Sequence, residues 1–254
     1  MKAPRWRNGF IGIAGVLVIW QILGATGAFH NSIASPTAIL RSMREDGWGF
    51  FAPNISMTMR EAAYGWLWGN TVAIALGLII ILLPRTERPI MRISIAAYCV
   101  PLLAIGPILQ IIFGVDSPTT PKIILAALTC FFTTLVGMVV GLKSADKSSL
   151  ELIRAYGGGS LSQLRKVRLK ACLPSLFAGL RIAAPTAILG AIIGEYLGGD
   201  QGLGIALINS QQGLHIARTW SLAVVATALA GLAYALTAFL GRLSTPWIPK
   251  AAAR

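Results

Sequence analysis

The chain has 254 residues, 55% of them hydrophobic and only 12% charged, with a formal charge of +13. So few charges cannot coat a soluble surface, and several uncharged apolar runs are long enough to cross a bilayer of about 30 Å at about 1.5 Å per residue. The positive excess forms no basic face with interleaved aromatics and no nucleic-acid motif, which excludes a nucleic-acid partner and leaves loop Lys and Arg as its source.

Six spans are expected, in an all-α membrane protein that forms one permease-sized domain over residues 1–254, with its core at about 55–245. The first runs roughly from Gly9 to Ala28, behind the basic start Met1-Lys2-Ala3-Pro4-Arg5. It is somewhat long for a signal peptide, so an uncleaved first span is expected. A polar segment, His30 to Arg60, follows outside; a short surface helix is expected between Ser35-Pro36 and the turn signal Glu45-Asp46-Gly47. The second span runs from about Ala62 to Leu83 and stops at Pro84-Arg85. The third, Ile93 to Phe113, contains Pro101 and Pro107. The fourth runs from Lys122 to Leu142, the fifth from Leu173 to Leu197 and the sixth from Trp220 to Leu240. With the N-terminus inside, the inside segments hold 16 Lys and Arg and the outside segments 5, with Arg181 left within the fifth span. That asymmetry puts both ends, and the loop 143–172, in the cytoplasm.

The loop is the most informative stretch. Ser148 with Glu151, and Ser160 with Gln163, each have the spacing of a capping box, so two short helices are expected. Gly157 between them ends the first, because glycine accepts the left-handed conformation. The second helix places Leu161, Leu164 and Val167 on one face, with Arg165, Lys166 and Arg168 mostly elsewhere, and Pro174 marks the start of the fifth span. Such a basic, apolar-striped pair of helices either lies on anionic membrane lipid or docks a soluble partner.

This loop resembles the EAA motif of ABC importer permeases. Glu151 falls on its Glu, Gly157 on its Gly, Val167 on its Ile and Leu169 on its Leu. Leu152 and Ile153 replace the two alanines and Lys170 the final proline, which Pro174 supplies four residues later. Ser35-Pro36-Thr37, Arg60, Gly65, Pro101, the run from Pro107 to Gly114 and Gly202-Leu203-Gly204 are similar to the nitrate, sulfonate, taurine and bicarbonate branch, so the resemblance covers most of the chain. It implies the type I ABC importer transmembrane fold in the bacterial inner membrane, with a second permease copy, two cytoplasmic ATPase subunits, and a periplasmic or lipid-anchored solute-binding protein as partners. It also implies a small oxyanion as solute, and docking of the ATPase through Glu151, Tyr156, Gly157, Leu161, Leu164, Val167 and Leu169. ATP and Mg would be used by the ATPase; this chain is expected to bind no cofactor.

Polar residues within spans are costly and invite a functional reading. Arg181 either snorkels to the cytoplasmic interface or is paired inside the bundle. Glu195 has an interfacial role, a pairing with Arg60 or Arg218, or a gating role. Asn70 and Gln110 are read as helix–helix hydrogen bonds or as lining of the path, Gln110 with Pro107 because broken backbone accompanies transport paths. Gly190, Gly194 and Gly198, and Ala226, Ala230 and Ala233, have the spacing of close helix packing.

No catalytic set or phosphate-binding loop is present, so the chain cannot hydrolyse ATP alone. Cys99, Cys130 and Cys172 form no CxxC pair, and His30 and His215 are far apart, so neither a disulfide framework nor a metal site is expected. A stand-alone secondary transporter or channel would show internal repeats and mid-membrane carboxylates, and a membrane enzyme would show clustered His, Asp or Ser; neither pattern is seen.

Overall fold

The computed structural model describes residues 5–27, 32–114 and 116–247, and every described element is helical. Helix α1 spans Arg5–Ala25, with an apolar stretch over Ile11–Ala25. Helix α2 spans Pro36–Leu82. It starts where the sequence places a start: the Ser35 hydroxyl accepts from the Ala38 N–H at 3.3 Å, and Pro36 opens the first turn. Gly47, at φ 66, breaks it, so the expected surface helix is the first arm of α2. The second arm begins well before Ala62 and continues into the membrane. Pro84 ends it as expected.

The expected third span is not one helix. Helices α3 (Glu87–Cys99) and α4 (Leu102–Phe113) meet at 93°. Val100 is extended, at φ −71 and ψ 129, because a residue before proline is pushed out of the helical region. At 13 and 12 residues each arm reaches only about 20 Å, short of the bilayer's width. Pro107, inside α4, does not break its helix.

Helix α5 spans Thr120–Lys143. The loop carries α6 (Lys147–Ala155) and α7 (Ser160–Gln163). A π-helical turn, Leu164–Arg168, joins α7 to α8 (Leu169–Leu197), so the fifth span grows out of the loop and passes through Pro174 instead of starting there. A short helix α9 (Leu203–Gln212), absent from the sequence reading, precedes α10 (Ile216–Ser244). Among the described residues four helices are long and apolar enough to cross a membrane, α2, α5, the α7–α8 run and α10, and the bent α3–α4 pair makes up to a fifth.

Helices α5 and α8 pack antiparallel along a seam of glycines. A methyl group on Gly137 would lie 2.7 Å from the Ser175 carbonyl oxygen, and one on Gly190 would lie 2.8 Å from that of Leu125. Backbones this close give the dispersion contact that holds spans together in lipid, which offers no hydrophobic drive between them. On the other side α5 meets α2 in parallel: Gly65 faces Ala126, and Gly77 faces Met138. Small residues along α5 thus let three long helices share one axis of contact, and every polar side chain between them must find its partner there.

Candidate functional site

At one end of this bundle lies the basic loop. Asp146, not Ser148, caps α6: its Oδ2 accepts from the Ser149 N–H at 2.9 Å and from the hydroxyls of Ser148 and Ser149. The Ser148 hydroxyl, then the Ser149 backbone and hydroxyl, stabilise the carboxylate and lower its pKa from 3.8 to about 2. Aspartate outcompetes serine because it accepts all three bonds with full charge at a helix N-terminus. The second expected capping box is also absent: Gln163 reaches across to the Leu150 carbonyl at 3.0 Å and ties α7 to α6. Gly157 does adopt the left-handed conformation, at φ 78. The Gly157 N–H donates to Arg154 O at 2.9 Å and the Gly158 N–H to Ile153 O at 2.8 Å, the paired bonds of a Schellman end.

Anchors hold this hairpin against the spans. Leu164 is buried among Met138, Leu142 and Cys172, so it faces inward and not toward a partner. Arg168 donates to the last-turn carbonyl of Leu142 at 3.1 Å, and Lys143 pairs with Glu87 at the start of α3. What remains outward is Glu151, Tyr156, Gly157, Leu161 and Leu169, with Val167 half-buried. Tyr156 is 86% exposed. Leu152 joins this patch; it stands four residues before Tyr156, one helical turn, a spacing legible in the sequence.

At the opposite end α2, α5, α8 and α9 meet around a buried polar cluster. Glu195 pairs with neither Arg60 nor Arg218. Its Oε1 accepts from the Thr58 hydroxyl at 2.6 Å and its Oε2 from the Gly204 N–H at 2.6 Å. The Thr58 oxygen accepts from Leu203 N–H at 2.9 Å, and Asn54 Oδ1 accepts from Gly202 N–H at 3.0 Å. The first N–H groups of α9, which have no partners within their own helix, are thus met by three side chains. Lys122 Nζ lies 3.2 Å from Glu61 Oε1, both side chains almost fully buried. Arg218 is taken by Asp46, with Nε at 2.9 and 3.0 Å from its two oxygens, and lies over Phe50; Arg60 lies over Tyr64. Glu61, Lys122, Thr58 and Asn54 were not singled out from the sequence. One signal was available: a Lys in the first turn of an apolar helix opposes the helix dipole and asks for a carboxylate.

The remaining candidates do not come together. Asn70 donates to Trp66 O at 2.7 Å and accepts from Thr134, tying α2 to α5. Gln110 donates to Gly198 O at 3.0 Å and pins the bent pair to the turn after α8. Pro107 is exposed on α4. Arg181 reaches toward α10, where its guanidinium lies 5.7 Å from the Tyr234 ring centroid. His30 lies outside the described residues.

The family profile described as "Binding-protein-dependent transport system inner membrane component" matches residues 69–250. The chain is 27% identical, over 83% of its length and 76% of the relative's, to SsuC of Bacillus subtilis, named as a transport permease for aliphatic sulfonates. It is 33% identical, over 63% of its length and 59% of the relative's, to RibX of Chloroflexus aurantiacus, a riboflavin transport system permease protein. Its fold is similar to that of a chain from the MetNI methionine ABC transporter in an inward-facing conformation. There the TM-score is 0.71 with 16% identity, covering 80% of this chain and 100% of the other.

Proposed function

Since the chain belongs to the family of binding-protein-dependent transport system inner membrane components, and so is the membrane permease of an ABC importer whose ATPase is a separate subunit, we propose that the hairpin of α6 and α7 is its coupling element. The observation that carries this is the outward patch of Leu152, Tyr156 and Leu161, an apolar and aromatic surface on a rigidly anchored basic loop. Glu151, Gly157, Val167 and Leu169 flank or shape that patch, while Leu164 roots it in the spans. A helix lying on lipid gains nothing from the Gln163 and Arg168 tethers; a lever that passes motion from the ATPase to α5 and α8 needs both.

Two copies of the chain form the transport unit, and the bent α3–α4 pair, whose Leu103 and Ile111 are exposed, supplies the surface between them. Gln110 holds that pair in register with α8. ATP and Mg act in the ATPase, and an external binding protein delivers the solute. A small oxyanion such as nitrate, taurine, an alkanesulfonate or bicarbonate is the proposed cargo, supported by the similarity to the sulfonate permease; the riboflavin relative shows that the family also serves larger solutes.

The test is co-purification of the ATPase with wild-type permease and with Gly157→Asp and Tyr156→Ala. Wild type should retain the ATPase, and Gly157→Asp should lose it while the permease stays folded. Retention of a fully stimulated ATPase by both variants rules the hairpin out as the docking surface. Uptake of labelled sulfonate against labelled riboflavin in the reconstituted system decides the solute class.

A further inference from the structure

In the polar cluster opposite the basic loop, three ionisable side chains meet without access to solvent. Glu61 and Lys122 are each 1% exposed, and Glu195 is 0% exposed. Glu61 projects from α2, Lys122 from the first turn of α5 and Glu195 from the last turn of α8. Thr58, which donates to Glu195, stands three residues before Glu61 on α2, and Lys122 Nζ lies 3.2 Å from Glu61, so Glu195 and Lys122 meet the same face of α2. Helix α9 contributes backbone N–H groups.

The charges do not balance: two carboxyls meet one ammonium. Nor are the two carboxyls equivalent. Both oxygens of Glu195 receive hydrogen bonds, from Thr58 and Gly204. Glu61 has only Lys122: its Oε1 lies 3.2 Å from the Lys122 ammonium, and its Oε2 is buried with no donor. A buried carboxylate oxygen without a donor, inside a cluster of net charge −1, is strongly disfavoured. Two neighbouring buried carboxyls relieve this by sharing a proton.

We propose that this cluster is a proton-binding site, in which one proton held between Glu61 and Glu195 completes the charge balance with Lys122. Glu195, with its two donors, is the carboxylate, and Glu61 is the acid that donates toward it. Loss of the proton leaves one uncompensated negative charge where α2, α5, α8 and α9 join. The site stands apart from the coupling hairpin, and its test does not depend on transport.

Infrared spectroscopy of the purified transporter in lipid nanodiscs tests this directly. At neutral pH the wild type should show the carbonyl band of a protonated carboxyl, and Glu61→Gln should lose it. The folded state holds a proton that the unfolded chain releases, so wild-type thermal stability should fall as pH rises above the ordinary carboxyl range of about 4. Glu61→Gln, which keeps one carboxylate against Lys122 and adds an N–H donor, should flatten that slope. Glu195→Gln provides the second variant if Glu61→Gln does not fold. Absence of the band in wild type, its survival in both variants, or an unchanged slope in the variant that folds overturns the proposal.

Discussion

Lys122 and Thr58 show how single side chains hold the bundle's polar end. Lys122 stands where the dipole of α5 is positive, so only its carboxylate neighbours make its burial tolerable. Lys122→Met should therefore destabilise the transporter by about 3–5 kcal/mol, the range for removing one partner of a buried pair. Thr58 donates to Glu195 and accepts from Leu203. Thr58→Val keeps the shape and deletes both bonds, at a cost of about 1–3 kcal/mol. Thermal unfolding of the detergent-purified complex measures both; a Thr58→Val protein as stable as wild type would show that the cluster does not hold α9 in place. Neither residue was recognised in the sequence, because a Lys near a span's outer end reads as an ordinary flanking charge until the fold brings Glu61 to it. Glu195 was recognised as a residue of interest but given the wrong partners, since sequence offers arginines by proximity in topology and not by direction of the side chain.

At the level of elements, the loop and the α5–α8 seam make separate predictions. Asp146 has its pKa lowered to about 2 from an ordinary 3.8, so its cap is fully present above about pH 4 and is lost as the pH falls through about 2. Protection of the α6 amides, taken relative to their intrinsic exchange at each pH, should fall on acidification across that window, and Asp146→Ala should show the lowered protection at neutral pH without further acid dependence. In the seam, Gly137→Leu places a side chain against the Ser175 backbone, where nothing flexible can yield. It should abolish assembly of the folded permease, seen as loss of the monodisperse peak on size exclusion. The two capping boxes read from sequence failed for one reason: a better acceptor, Asp146, lay two residues upstream of one, and a tertiary acceptor, the Leu150 carbonyl, drew the glutamine of the other away from its own helix. Gly157 succeeded because a left-handed end with its two backbone bonds is a local matter.

For the whole molecule, the exposed apolar face of α4 bears on assembly. In a Cys99→Ser background, Ile111→Cys should give a cross-linked pair of permease chains in membranes if the bent α3–α4 elbow lies between copies; cross-linking absent there but strong from α1 would move the interface. The sequence by itself determined that the chain is a helical membrane protein, where its apolar runs lie, where Pro84 stops a helix and where Gly157 turns the loop. These follow from hydrophobicity, proline's missing N–H and glycine's missing Cβ, all properties of residues and their near neighbours. Only the tertiary structure decided that the third run folds into a 93° elbow, that the fifth span grows out of the loop through Pro174, and that Arg181 lies over Tyr234. It also decided that Glu61, Lys122 and Glu195 share one dry site. Those outcomes depend on which faces pack and on the need of every buried polar group for a partner, and at this polar end the partners stand as many as 148 residues apart in the chain.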